Sequence, residues 1–348
     1  MDYLLGGIES GVRSDGRGLL DYRACVIESD TLLHANGSAI VVLGGLGRGN
    51  TTRVLGVVKA EVGRTSSSFT STTTSSTTSS STTTSSTTTS TTTTEASALK
   101  GAKGSIEGTV TLSSWSGTPR EKEEEEARLS EALGRILSSS PEFLRALIIP
   151  SSRDEYCWVL KVDVMVLEHG GSILDAATFV AHSALRNCVL PQVRAVETEA
   201  SSLQLELIQE HTVDAAAALT HLDDRVRSLM PLSVTLTVVR SASGEHIIVD
   251  PSQEEETCVS IAARITASVD MEGNVCALDV QCSNSSSSSV VHTAVSPSTL
   301  KRCIRAAARV GRQLFLKLES VLAEEEQTNK RDENVISERR STNIGFNV

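Results

Sequence analysis

No apolar run in the 348 residues approaches the roughly 20 needed to span a membrane as a helix. The start, Met1-Asp2-Tyr3-Leu4-Leu5, lacks the basic residues that open a secretory signal. A soluble, intracellular protein is the expectation. None of the seven cysteines (Cys25, Cys157, Cys188, Cys258, Cys276, Cys282 and Cys303) belongs to a Cys-x-x-Cys pair. An odd and scattered set suits reduced thiols better than disulfides. The seven histidines show no ligand spacing with those cysteines, so neither a metal nor a cofactor is expected. Positive charge is also short: 32 Lys and Arg face 43 Asp and Glu, a net charge of −11. The average field therefore repels polyanions, and any contact with nucleic acid has to be local or shared with a partner. Apolar residues, by contrast, make up 39%, enough to bury a core in one large domain or two small ones.

Early in the chain, Ala24 and Val26, then Ile40 and Val42, stand between polar or small residues as in half-buried strands, and Val54 to Val62 looks like their hairpin partner. The loop Gly44-Gly45-Leu46-Gly47-Arg48-Gly49-Asn50 lacks the Gly-Lys-Ser/Thr ending of a P-loop and the spacing of G-x-G-x-x-G, so it reads as a hairpin turn and not a nucleotide site. Residues 65–94 are all Ser or Thr except Phe69, with almost nothing to bury, which predicts a disordered insertion. Strand chemistry resumes at Thr109 to Leu112. Thr118-Pro119 then caps a helix with Glu121 and Glu123 to Glu126 in its opening turns and Leu129, Leu133, Ile136 and Leu137 along one side. The acidic run reads as a solvated face. Cys157 to Leu167 predicts a strand, Glu168 to Ser172 a glycine turn, and Ile173 to Asn187 an Ala-rich helix. Residues 191–229 read as a connecting region with a short helix. Further strands follow at Leu232 to Val239, His246 to Val249, Cys258 to Ser268 and Val275 to Val280, with a turn at Met271 to Asn274 and a second flexible loop at Ser283 to Ser289. Ser296-Pro297 opens a long helix with Leu300, Ile304, Ala307, Gly311, Leu314, Leu318 and Val321 on one face, expected to cover the second sheet. The divisions are therefore 1–190, a connector 191–229, 230–326 and a flexible tail 327–348.

Two charged motifs remain. In Arg13-Ser14-Asp15-Gly16-Arg17, followed by Asp21-Tyr22-Arg23, Asp15 can bond two arginines while Gly16 turns the chain, which local chemistry explains as a salt-bridged turn. With Gly37-Ser38-Ala39 and Val57 to Gly63, however, the run Val12 to Arg23 resembles the N-terminal half of the RNase PH-like exosome subunits. Cys157 to Val164, Gly170-Gly171-Ser172-Ile173-Leu174-Asp175-Ala176-Ala177 and Asp250-Pro251-Ser252-Gln253-Glu254-Glu255-Glu256 resemble the same family in order and approximate spacing. The Ser/Thr tract, the enlarged Gly44 to Asn50 loop and the polar region after 192 depart from the pattern.

The resemblance implies an α+β fold of the RNase PH-like (ribosomal protein S five domain two-like) class, two βαβ-like halves with mixed sheets covered by helices. It also implies a six-membered ring with other RNase PH-like subunits, RNA-binding cap subunits, RNA passing through the channel, a part in rRNA processing, and residence in nucleus, nucleolus and cytoplasm. Catalytic members follow the glycine pair and hydroxyl with an arginine, where this chain has Ile173, and carry arginines in the stretch matching Arg120 to Arg128, where it has Glu121 and Glu123 to Glu126. Asp250 and Glu256 stand where those members have acidic residues. Carboxylates without a phosphate clamp imply a non-catalytic subunit, because phosphorolysis needs cations to hold phosphate. An active phosphorolytic 3′-to-5′ exoribonuclease and a stand-alone RNA-binding module are the competing readings. In resembling non-catalytic subunits the helix before the Cys157 strand holds two channel-facing arginines one turn apart that grip the RNA backbone. Arg135 stands at the first and Ser139 at the second, so Arg135 is the candidate RNA contact; the plainer reading pairs it with Glu131 at i−4.

Overall fold

A computed structural model describes residues 2–32, 34–44, 50–65, 103–113, 115, 117–149, 152, 155–191, 193–197, 203–207, 219–221, 229–241, 243–258, 261–282 and 295–342. The expectations placed on the Ser/Thr tract beyond Thr65, on the middle of the Gly44 to Asn50 loop, on residues 283–289 and on 343–348 lie outside the described residues. Thr65, the first residue of the tract, is buried, and its N–H donates to Glu155 O at 3.0 Å, so the disorder expected from composition does not include it.

After the short helix α1 (Asp2–Ser10), five strands form one sheet: β1 (Cys25–Ser29), β2 (Gly37–Leu43), β3 (Thr52–Arg64), β4 (Ser105–Leu112) and β5 (Tyr156–Glu168). Their order is β1-β2-β3-β5-β4, antiparallel except for the parallel pair β4 and β5. In β1 and β2 the inward residues are Ile27, Ala39, Val41 and Leu43, whereas Val26 is 53% exposed. The alternation expected around Val26, Ile40 and Val42 is present with the opposite face buried. Both faces of Ala39 to Leu43 are apolar, so period two alone did not choose between them.

Helix α2 (Pro119–Leu137) makes the crossover from β4 towards β5, followed by the single turn α3 (Pro141–Ala146). Thr118 and Glu121 form a reciprocal capping box, with Pro119 in the first turn. Leu129, Ala132, Leu133, Ile136 and Leu137 are buried on the inner side of α2, which packs on β4. From the same helix Ser130 Oγ accepts the Val110 N–H at 2.9 Å and Glu126 Oε1 accepts the Leu112 N–H at 2.7 Å, so side chains occupy the open edge of β4.

Helix α4 (Ile173–Arg186), buried from Ile173 through Leu185, packs on the first sheet with one side and on the second with the other. Among its described residues the connector holds two ribbons: β6 (Val189–Pro191) pairs with β9 (Leu219–His221), and β7 (Val193–Glu197) with β8 (Leu203–Leu207), while the short helix expected there lies outside the described residues. Leu203-Gln204-Leu205-Glu206-Leu207 has the period of a strand. The second sheet contains β10 (Leu232–Ser241), β11 (Gly244–Val249), β12 (Ile261–Val269) and β13 (Val275–Cys282) in the order β11-β10-β12-β13. All its pairs are antiparallel, so this half has no βαβ unit. The last helix, labelled α6 after the single turn α5 (Gln253–Glu256), spans Pro297–Thr342, so the chain stays helical past 326, where its charge suggested a flexible tail. It serves both cores: Cys303, Ala307 and Val310 seat on the second sheet, while Phe315, Leu318 and Leu322 join the first. Among the described residues no helix is long and apolar enough to cross a membrane.

Candidate functional site

The two halves meet where the turn between β5 and α4 touches the turn between β11 and β12. Gly170 and Gly171 are dictated by that approach. A Cβ on Gly170 would collide with the backbone of Asn50 and Thr51, and one on Gly171, whose φ is +102°, with Pro251 and Ser252. Ser172 is left-handed (φ 51°) and makes no side-chain cap on α4; its Oγ donates instead to Pro251 O at 3.1 Å. The N-terminus of a buried helix presents N–H groups that favour an anion. Here the anion is part of the chain: the Ser172 N–H donates to Glu256 Oε1 at 3.0 Å. Arg264 lies 3.5 Å and His169 Nε2 3.8 Å from Glu256 Oε2. Burial works against the charge on Glu256, but His169, Arg264 and the Ser172 N–H together hold its carboxyl below the usual range. The remaining cleft is ≈ 40 Å³ and also touches Glu125 and Arg128. Arg128 is clasped at two points by Glu125, with Nε to Oε2 at 2.8 Å. Arg128 and Arg264, like the His169 ring, thus each have a carboxylate of the same chain beside them.

The N-terminal motif is more than a local turn. Asp15 accepts from Arg17 Nε at 2.6 Å, but Arg13 and Arg23 have distant partners. Arg13 forms a buried pair with Glu255 and donates to Val249 O and Asp250 O, each at 2.8 Å. Arg23 donates through Nη2 to Asp250 Oδ1 at 2.7 Å and through both Nε and its backbone N–H to Oδ2 at 2.9 Å; its Nη1 reaches Gly170 O at 3.0 Å. Arg17 Nη1 adds a bond to Asp250 Oδ2 at 2.8 Å. Burial would raise the Asp250 carboxyl, but the arginines, Arg23 foremost, hold it below its ordinary value. Asp250 is fully buried and left-handed (φ 49°), a structural anchor with no free edge.

A second buried carboxylate joins α4 to β10. Asp175 accepts from Tyr22 Oη (2.7 Å), Ser233 Oγ (2.9 Å), and both Oγ1 (2.8 Å) and N–H (2.9 Å) of Thr235. Burial pushes its pKa up to about 7. Arg135 lies elsewhere, in the last turn of α2, with 56% of its side chain exposed; its nearby carboxylate is Asp279 of β13 at 4.0 Å. Ser139 turns its Oγ back to Ile136 O at 2.7 Å.

Sequence reasoning therefore named Asp250 and Glu256 in a motif but gave no role to Glu255, His169, Arg264 or Asp175. The Ser252-x-x-Glu255 spacing of a capping box, which the structure forms, was a legible signal for Glu255. Nothing local marks Arg264, which sits within an ordinary strand.

Residues 21–191 match the family described as 3′ exoribonuclease family, domain 1. The chain is 30% identical over 275 residues to the exosome complex component Rrp42 of Methanopyrus kandleri, a span covering 79% of this chain and 82% of that protein. It is 28% identical over 272 residues to the Rrp42 component of Sulfurisphaera tokodaii, covering 78% and 79%. Two solved structures share the fold at 21% identity and a TM-score of 0.55. One, an archaeal exosome core, is covered over 91% of this chain and 95% of that one; the other, an Archaeoglobus fulgidus exosome with RNA bound to the active site, over 91% and 96%. With its two sheets, the buried helix between them and this extent of shared sequence, the chain belongs to the RNase PH type of 3′ exoribonuclease family.

Proposed function

We propose that this chain is a non-catalytic subunit of an exosome ring, enclosing RNA beside related subunits in support of 3′-to-5′ degradation and rRNA processing. The relatives named as exosome components supply the assembly, and Glu256 supplies the loss of chemistry. A phosphorolytic site holds inorganic phosphate on cations and free backbone N–H groups. Glu256 already sits on the Ser172 N–H beside Arg264 and His169, and Glu125 clasps Arg128. A phosphate entering there would meet two carboxylates in a cleft of ≈ 40 Å³. Asp250, committed to Arg17 and Arg23, is unsuited to act as a base.

The test is to incubate the purified chain with poly(A) at high phosphate. No nucleoside diphosphate is expected. Phosphate-dependent release by the isolated chain overturns the reading and favours the exoribonuclease. Affinity purification from cells should recover related ring subunits; a monomer that binds RNA tightly by itself would favour a stand-alone binding module.

A further inference from the structure

An open groove of ≈ 780 Å³, sharing no residue with the Ser172 cleft, runs along the first turns of α6. Between Pro297 and Lys317 the sequence carries Lys301, Arg302, Arg305, Arg309, Arg312 and Lys317 without an acidic residue, a concentration of cations in a chain whose net charge is −11. Arg302, Arg305 and Arg309 line the groove. Spaced by three and four, they stack on one face of the helix over about 10 Å. All three are exposed, and among the described residues none is ion-paired. Glu245, in the facing strand β11, bonds Thr299 Oγ1 (2.5 Å) and Arg240 (3.0 Å) and feels Arg302 only through its field, and Asp21, which lines the rim, accepts the Gly18 N–H at 3.0 Å. Opposite the arginines, beside His246, half-buried Leu19 and Leu20 and the nearly buried Ile247 form an apolar strip.

We propose that this groove is a docking site for an acidic, apolar peptide segment of a partner protein. Its carboxylates would meet Arg302, Arg305 and Arg309, and its aliphatic side chains would cover Leu19, Leu20 and Ile247. Charge complementarity selects an anionic occupant, and the apolar wall selects a peptide over nucleic acid. Single-stranded RNA is held by successive bases stacking on aromatic rings, and the lining offers one ring only, the His246 imidazole, whose Nε2 already meets Ser243 Oγ at 3.0 Å. Phosphates would leave the leucines idle. Exposed ion pairs are individually weak, so affinity rests on the three together with apolar burial, and arginine favours carboxylate through its two-point geometry.

The experiment titrates the full chain, by fluorescence anisotropy, with a short labelled peptide of glutamate pairs separated by single leucines. Matched peptides carry Gln for Glu or Ser for Leu, and a single-stranded RNA oligonucleotide forms a further arm. The Glu/Leu peptide should bind, and both matched peptides should bind at least about tenfold more weakly. Combining Arg302→Ala, Arg305→Ala and Arg309→Ala should weaken the Glu/Leu peptide by about tenfold or more while leaving the thermal melt and RNA affinity unchanged. Arg120→Ala, an exposed arginine paired with Glu124 on α2, should have no effect. Reversal of the three arginines to glutamate should transfer binding to a Lys/Leu peptide. Failure of the Glu/Leu peptide to bind, equal binding by the triple variant, or a comparable loss of RNA affinity in that variant overturns the proposal; the last result would make the groove a nucleic-acid surface.

Discussion

Asp250 shows how a residue type that suggests chemistry can be wholly structural. Its two oxygens receive Arg23 at three donors and Arg17 at a fourth, inside a fully buried turn. Replacing it by alanine strands Arg23 without its charge partner, which in buried pairs costs about 3–5 kcal/mol. Asp250→Ala should therefore lower the denaturant midpoint markedly, and Asp250→Asn, which keeps an acceptor, should cost less. Glu256 acts differently, because its removal uncovers donors. Glu256→Ala should leave the Ser172 N–H, His169 and Arg264 facing an enlarged cleft, and inorganic phosphate should then raise the melting temperature of the variant but not of the wild type. A variant indifferent to phosphate would mean that the cationic remnant cannot form a clamp. Asp175 carries the opposite pH signature from Asp250 and Glu256. Its folded pKa of about 7 lies above the unfolded value of about 3.9, so across that interval the folded state keeps a proton that the unfolded chain has lost. Its contribution to stability consequently falls as pH rises from about 4 to about 7. The lowered pKa values of Asp250 and Glu256 instead add stability that is present above about 4 and is lost as pH falls through their folded values. Urea unfolding should show a more stable protein at about pH 5.5 than at about pH 7.5, and Asp175→Asn should flatten that slope. A slope unchanged in the variant would assign the dependence to another group.

Helix α2 was the most legible element, since Thr118, Pro119 and the apolar side from Leu129 to Leu137 all stand in order along the chain. Its acidic start was less so. Charge alone reads as a solvated face, yet Glu126 accepts the Leu112 N–H of β4, a contact set by how the helix packs on that strand, and Glu125 holds Arg128 one turn further along the same helix. The cover on β4 gives this helix a second duty. Changing Glu126→Ala together with Ser130→Ala should free the Leu112 and Val110 N–H groups on an edge strand, and light scattering should show concentration-dependent self-association absent from the wild type. Unchanged scattering would show that the body of α2 alone shields the edge. In β10 the alternation Leu232-Ser233-Val234-Thr235-Leu236-Thr237 looks like a strand with one wet face, but all six residues are buried because α4 covers the polar side and Asp175 satisfies Ser233 and Thr235. Period two reports the two chemistries of a strand's faces, not which of them meets water. Helix α6 illustrates the same limit at greater length. Its apolar spacing predicted burial, whereas its passage from the second core to the first depends on how the two sheets are joined.

At the scale of the whole molecule, a net charge of −11 sets the terms on which RNA can be touched. The long-range field opposes approach, so a useful contact has to be a short-range cation aided by neighbouring subunits. Arg135 meets this description. It lies at the C-terminal end of α2, where the helix dipole favours a cation, and away from Glu123 and Glu124 at the other end. Its interaction with Asp279, at 4.0 Å and well exposed, is the weak kind that a phosphate can displace. In the proposed ring, Arg135→Ala should weaken single-stranded RNA binding at low salt and reduce the magnitude of the salt slope by about 0.7 to 1, the value of one phosphate contact, without altering sequence preference. Asp279→Ala should act in the opposite direction, since it releases Arg135 and removes a negative charge nearby. Titration of RNA into reconstituted rings across several salt concentrations separates the outcomes. If affinity and slope are unchanged in both variants, Arg135 is outside the RNA path and this subunit contributes shape alone to the channel. If Asp279→Ala strengthens binding only while Arg135 is present, the two residues act as one site, in which Asp279 limits how tightly a single arginine holds a passing strand.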